Sequence, residues 1–361
     1  MVLASSNALL NAARSAYNKW MQFLICTQAV DLDDPVLGFF HGWIEEISKH
    51  CESVIVICLK EGRHNLPNNV AVYSLGKESG PSRLKYIRLF YKYIWSLRNE
   101  YDSVFVHMNQ EYVLLGGKFW WLWGKRIVLW RNHKSGSIFT RIAVFLSHAV
   151  CYTSLSAYVA SFRNAMRMPI GIDTEVFKPG GTADPHSILF LGRFDSVKNP
   201  EILLQALDIL AKKGTEFKAD IVGGPTVGRE LYASGLKKQF SSMPNVAFKP
   251  AIRNDETVAA YNSHAIYVNL TPSGSFDKTI GEAMACGCVV VTANNAVQDV
   301  LPKELFVTEL SAGSVATALC YALDLRDAER AKISARLRSY IKKEHSLSLL
   351  GTRLEDLLHT S

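Results

Sequence analysis

The sequence predicts an α/β protein built from two doubly wound domains, each a parallel sheet wrapped by helices. Three observations carry that expectation. Short apolar runs alternate with helical patterns along the chain, the rhythm of βαβ units. A polar stretch rich in Gly and Pro, Lys178-Pro-Gly-Gly-Thr-Ala-Asp-Pro185, interrupts the rhythm, which then resumes. At 361 residues the chain is long enough for two buried cores.

In the first half the runs expected as strands are Met21–Thr27, Ser53–Leu59, Val70–Leu75, Ser103–His107, Arg126–Trp130 and Ala149–Thr153. Pro35–His50 has helical spacing at Leu37, Phe40, Ile44 and Ile47, and Leu84–Leu97 is a second helix. After the Gly/Pro stretch come strands Ser187–Leu191, Phe217–Val222, Val246–Phe248, Ala265–Leu270 and Val289–Thr292, with helices between them. The first of these helices is punctuated by Asn199 as its cap, Pro200 in its first turn and Gly214 past its end. Helical sequence from Ala312 to the terminus closes the chain. Ligands of doubly wound sheets bind at the carboxyl ends of the strands, here expected in a cleft between the two domains.

Composition excludes several classes. With 48% hydrophobic and 20% charged residues the chain is neither disordered nor fibrous. Its seven cysteines are odd in number and lie mostly in apolar runs, which suits buried free thiols in a reducing compartment. Cys286-Gly-Cys288 lacks the spacing of a zinc or redox pair. No apolar run approaches the roughly 20 residues of a membrane span. The first 20 residues carry Arg14 and Lys19 but no signal-peptide core, and are read as a short helix or tail. A cytoplasmic location, with a peripheral position on the membrane's cytoplasmic face as an option, is expected. Charge is uneven: residues 60–141 hold 14 Lys/Arg and 5 Asp/Glu, a net of +9 against +7 for the whole chain, and all seven tryptophans lie at or before Trp130. No nucleic-acid-binding module accompanies this basic region.

Chemistry concentrates in two segments of the second half. In Leu191-Gly-Arg-Phe-Asp-Ser-Val-Lys198, Gly192 permits a tight strand exit, Arg193 can grip phosphate oxygens bidentately and Lys198 adds a point charge. The bland alternative is a solvated loop with two surface cations. In Pro272-Ser-Gly-Ser-Phe-Asp-Lys-Thr-Ile-Gly-Glu282, a loop runs into a helix start at Lys278-Thr279, where backbone amides favour anions. Glu282, one turn inside, can accept hydrogen bonds from vicinal ribose hydroxyls, or merely complement the helix dipole.

At these residues the chain resembles the retaining GT-B glycosyltransferases of family 4. The likeness is strongest over 187–300, with weaker matches at Met168–Phe177 and Ile221-Val-Gly-Gly-Pro225, where Gly223 joins the donor-binding set. The resemblance implies two Rossmann-like domains facing across a cleft. It divides the chain into an acceptor-side domain over 1–177, a linker over 178–186, a nucleotide-sugar-binding domain over 187–343, and a terminal helix over 344–361 that packs back toward the first domain. It also implies that Arg193 and Lys198 hold the donor diphosphate, that Glu282 binds ribose, and that backbone amides around Phe276, Asp277, Lys278 and Thr279 hold sugar and phosphate. Two departures stand out. The first Glu of the family's Glu-x7-Glu pair falls on Gly274, and Asp277 stands where the family often has glycine, a candidate to replace the missing contact.

In the first half, His133 in Leu129-Trp-Arg-Asn-His133 follows a strand end, where a family histidine approaches donor sugar and acceptor; a structural histidine is the alternative. His107 also ends a strand, and Gly38 loosely matches the family's loop glycine. Asp31-Leu32-Asp33 looks like the metal clamp of the other major glycosyltransferase fold, but a solvated loop suits it better, and no metal or cofactor is expected. Lys85–Arg98 alternates bases with aromatic and aliphatic residues, and Phe119-Trp-Trp-Leu-Trp123 adds more rings than one helix face easily buries. An anionic membrane surface or simple core packing would account for both. The expected function is transfer of a hexose from a UDP- or GDP-sugar to a hydroxyl of a lipid-linked glycan or surface polysaccharide precursor. A nucleotide-sugar 2-epimerase and a non-catalytic sugar-nucleotide-binding protein remain alternatives.

Overall fold

The computed structural model describes residues 21–34, 36–80, 82–226, 228–272 and 275–359. The chain forms two compact units, one from the chain up to Gly171 together with Leu347 onward, the other Ile172–Ser346. The expectations about Gly274 and the first 20 residues fall outside the described residues.

The first unit runs β1 (Gln22–Val30), α1 (Phe40–Ser48), β2 (Ser53–Glu61), β3 (Val70–Ser74), α2 (Arg83–Ser96), β4 (Ser103–His107), α3 (Glu111–Leu122), β5 (Arg126–Trp130), α4 (Ile138–Leu146), β6 (Ala149–Tyr152) and β7 (Ala165–Arg167). Its sheet is parallel, in the order β3-β2-β1-β4-β5-β6-β7. β1 is central and covered on both faces, so its run Phe23–Cys26 is apolar throughout and fully buried. Side-chain alternation then divides the core. Leu24, Cys26, Ile55 and Ile57 pack under α2, α3 and α4, while Phe23, Ile25, Val54 and Val56 pack against α1. Ser82 caps α2, and Ser137 with Thr140 forms a capping box on α4. The helix expected from position 35 starts only at Phe40, because the Asp34 carboxylate takes the N–H groups of Val36 and Leu37 into a turn. β7 was not anticipated: three half-exposed edge residues leave no readable period.

The second unit runs β8 (Asp184–Leu191), α5 (Pro200–Lys212), β9 (Lys218–Val222), α6 (Glu230–Phe240), β10 (Val246–Lys249), α7 (Thr257–Asn262), β11 (His264–Asn269), α8 (Lys278–Cys286), β12 (Val289–Thr292), α9 (Ala312–Leu323) and α10 (Asp327–Glu344). Its parallel sheet has the order β10-β9-β8-β11-β12. Leu203, Leu207 and Leu210 of α5 and Val315 and Leu319 of α9 join Ile188, Phe190, Ile221 and Val268 in one core. β8 begins at Asp184, paired with His264, so the end of the expected linker is strand. Asn199 does not cap α5. It is left-handed, with φ 50°, and its amide instead donates to the Leu270 carbonyl at 2.9 Å.

The final helix, α11 (Leu347–His359), belongs to the first unit. Its Leu350, Leu354, Leu357 and Leu358 complete the core face formed by α1. Both sheets with their helices are Rossmann-like, and the fold class is GT-B. Among the described residues, no helix is long and apolar enough to cross a membrane. All seven cysteines are free, and five are buried.

Candidate functional site

In the second unit the strand order reverses between β8 and β11, which makes their carboxyl ends the topological switch point. The two sequence segments singled out above leave the sheet side by side there. Gly192 donates to the Val222 carbonyl at 3.0 Å as the chain leaves β8. Across from it Gly223, with φ 156°, lies so close that a Cβ would sit 1.9 Å from the Gly192 oxygen. No side chain fits at 223, and this backbone contact fixes where the Arg193–Lys198 loop departs.

Lys198 then reaches the segment before α8, where its ammonium pairs with the Asp277 carboxylate; both side chains are largely buried. Asp277 is the N-cap of α8. Its Oδ2 also accepts from Asn269 Nδ2 at 3.0 Å and Thr271 Oγ1 at 3.4 Å, and its Oδ1 from the Thr279 N–H at 3.4 Å and Thr279 Oγ1 at 3.1 Å. Burial would raise this carboxyl, but the Lys198 ammonium and the hydrogen bonds of Asn269 and Thr279 outweigh it and hold it below the ordinary Asp range. An ionised carboxylate offers about four acceptor positions. Those of Asp277 are taken up by its neighbours, so a sugar hydroxyl could enter only by displacing one. Asp277 therefore does not stand ready to replace a missing sugar contact; it holds Lys198 and the helix start together.

One turn further, Glu282 is 6% exposed and its Oε2 accepts from the Tyr261 hydroxyl at 3.0 Å. Burial pushes its carboxyl up, against the opposing pull of Lys278 and Tyr261, and burial likewise lowers the half-buried Lys278. Phe276 is buried with its ring edge-on to His345 at 4.9 Å, which anchors the loop before the helix. Arg193 is exposed, and among the described residues no carboxylate lies within ion-pair distance of it. Arg193, Lys198, Lys278 and Glu282 thus share one end of one sheet, as do Gly192, Gly223, Phe276, Asp277 and Thr279. Asn269 and Tyr261 were not expected. A polar residue ending the apolar run Ala265–Leu270 was the available signal for Asn269; Tyr261 gave none.

The first unit presents a different picture. His133 follows β5, is exposed, and its Nδ1 lies 3.1 Å from Ser135 Oγ. His107 ends β4 and is 3% exposed, stacked on Phe40 at 4.0 Å with Phe39, Trp43 and Phe105 around it and Thr27 Oγ1 at 3.4 Å from Nδ1. Its surroundings are those of a core ring. Gly38 is required by its turn, since a Cβ would meet the Asp34 and Leu32 carbonyl oxygens at 2.8 and 2.9 Å. The Asp31 and Asp33 carboxylates diverge: Asp31 pairs with Lys60 at 2.9 Å and Asp33 is gripped by both Nε and Nη2 of Arg63. Among the described residues no cluster of His, Cys, Asp or Glu could hold a metal ion.

Residues 185–324 match the family model described as Glycosyl transferases group 1, which takes in every residue of the switch-point site. The chain is 29% identical over 143 residues to a D-inositol 3-phosphate glycosyltransferase of Acidothermus cellulolyticus, covering 35% of this chain and 32% of the relative. It is 28% identical over 147 residues to the sulfoquinovosyl transferase SQD2 of Arabidopsis thaliana, covering 37% and 27%. The match thus spans about a third of the length of these curated relatives. Among solved structures, Anabaena HepE in complex with UDP and glucose superposes with a TM-score of 0.74 at 18% identity, over 94% of this chain and 100% of that one.

Proposed function

We propose that this protein is a retaining glycosyltransferase that moves a hexose from a UDP- or GDP-sugar to a hydroxyl of a lipid-linked glycan or surface polysaccharide precursor. One observation carries the reading: Lys198 closes on Asp277 at the start of α8, one turn before the buried Glu282, so cation, helix terminus and carboxylate converge. A nucleoside diphosphate needs that set, a positive site for phosphate and an acceptor for ribose hydroxyls. The family match over 185–324 covers the same residues, and HepE was solved with UDP.

In this reading the leaving group is a diphosphate, and stabilising its developing charge is the largest catalytic contribution. Arg193 and Lys198 do so directly, with Lys278 and the amides around Phe276–Thr279 at the helix terminus. The departing phosphate takes the acceptor proton, so no carboxylate nucleophile and no metal is needed. His133, at the exposed exit of β5, is the catalytic residue of the first unit, and His107 and Gly38 are its acceptor-side residues, the one packed among rings and the other held in a turn. The enzyme works in the cytoplasm at an anionic membrane surface.

The first test is thermal stabilisation of the purified protein by UDP, GDP and their hexose conjugates, with and without chelator. A ligand at about 100 times its Kd adds roughly 2.7 kcal/mol. A chelator-resistant shift with one nucleotide, lost in Arg193→Ala, supports the donor site and names the base. No shift with any of them removes the reading. Conversion of the sugar nucleotide without acceptor would make the protein an epimerase, and a trapped glycosyl–enzyme adduct would overturn the nucleophile-free mechanism.

A further inference from the structure

Large apolar side chains are exposed very unequally. Leu84, Ile87 and Trp95 on α2, Trp121 and Leu122 on α3, and Ile138, Phe139, Ile142 and Phe145 on α4 all face solvent. These three helices cover one face of the first sheet. α4 is the extreme case. Thr140, Ala143 and Val144 point inward, yet Ile138, Ile142 and Phe145, at i, i+4 and i+7, form the opposite stripe, with Phe145 82% exposed. A surface helix ordinarily carries polar residues there. The patch continues onto α3, whose Trp121 Nε1 donates to the Leu146 carbonyl at 2.8 Å.

The rings expected to make a membrane face divide sharply. Trp120 is fully buried with its Nε1 on Tyr101, and Tyr86, Tyr91 and Tyr93 are tied down by hydroxyl bonds to backbone carbonyls. Of these rings Trp95 and Trp121 are left outside, together with Leu84, Ile87 and Leu122 and the aliphatic and phenyl groups of α4. Arg83, Lys85, Arg88, Lys92, Lys118 and Arg141 are exposed on the same three helices, against the single acid Glu111.

We propose that α4, with the end of α3, is the element that enters an anionic bilayer, and that α2 is its electrostatic footing. This deepens the membrane part of the proposed function and stands apart from the donor chemistry. Cations mixed among apolar groups suit lipid headgroups above acyl chains. A second copy of the chain is disfavoured, because pairing this face with itself would oppose six cations to six.

The test is flotation of the full chain with vesicles of equal parts phosphatidylglycerol and phosphatidylcholine, beside vesicles of phosphatidylcholine alone. Binding is expected to the first only, and to fall in about 1 M salt, where the Debye length is about 3 Å. Phe145→Asp with Ile142→Asp should weaken partition about tenfold or more, since both groups would otherwise enter the apolar layer. Arg88→Glu with Lys92→Glu should weaken it while leaving the melting temperature and UDP stabilisation unchanged. Absence of binding to anionic vesicles overturns the proposal, as does binding indifferent to the α4 variants. Concentration-dependent self-association abolished by those variants would assign the face to a second copy instead. Loss of donor binding in wild type would sink the glycosyltransferase reading and leave this one standing.

Discussion

The two units spend their charges in opposite ways. The second gathers ionic groups at one end of its sheet and couples them under cover: Lys198 with Asp277, Lys278 beside Glu282, and Tyr261 on Glu282. The first leaves its excess cations outside, beside uncovered rings, and scatters its ion pairs, from the exposed Asp33 with Arg63 to the more covered Asp31 with Lys60 and Glu355 with His50. Buried pairs are costly to break and fix geometry, whereas exposed ones contribute little and are screened by salt. The difference marks the switch point of the second unit as the place where positions are held tightly, and the outer helices of the first as a face left uncovered.

Glycine substitutions should sharpen that contrast most. Gly223→Ala would force a Cβ to 1.9 Å from the Gly192 oxygen, and a loss of about 3 kcal/mol is expected. Gly124→Ala in the first unit meets nothing within 4 Å despite φ of 65°, so only the left-handed penalty of about 1 kcal/mol applies. Urea midpoints at constant slope measure both, and equal losses would break the comparison.

Next in size are the charges at the switch point. Glu282→Ala removes the partner of the Tyr261 hydroxyl and the neighbour of Lys278, and should cost about 3 kcal/mol. Glu282→Gln should keep most of that stability and weaken nucleotide binding, which separates packing from recognition. Asp277 makes the comparison pH-dependent. Its folded-state carboxyl lies below the model-peptide value of 3.8. A depressed carboxyl contributes stability that is fully present above the unfolded value and is lost as pH falls through the folded one. The urea midpoint of wild type should therefore exceed that of Asp277→Asn at pH 7 and converge on it below about pH 3.8. A gap that widens on acidification would contradict the pairing with Lys198.

The same contrast governs what the sequence made legible. Strands β4, β5 and β12 were readable to the residue, because each is a short, mainly buried and apolar run, β4 and β5 entered from Asp102 and Lys125 and β12 just after the glycine that ends α8. The segments around Lys198 and Glu282 were readable because glycines and charges sit at fixed offsets from strand and helix starts. The partner of Lys198 was not, since Asp277 lies 79 residues away and only strand order sets them side by side. Asn199 misled because its residue type suits a cap, while tertiary structure turns its amide to the Leu270 carbonyl. On the outer helices, periodicity ranked the aromatics alike. Burial then separated Trp120 from Trp121, neighbours in sequence that a helix turns about 100° apart.

The smallest effect is expected where two charges look best matched on paper. Arg63 holds Asp33 through two nitrogens at 2.9 and 2.7 Å, a bidentate grip. Yet the side chains are 56% and 47% exposed, so water already solvates both ions and holding two flexible groups together offsets much of the gain. Arg63→Ala should change stability by no more than about 0.5 kcal/mol, and by less in high salt. It should leave nucleotide stabilisation untouched, because the pair belongs to the other unit from the donor residues. A loss above about 1 kcal/mol would mean that the first unit also relies on fixed ionic geometry. The Asp31–Lys60 pair beside it, with Asp31 buried, would then be the place to look for a second polar site.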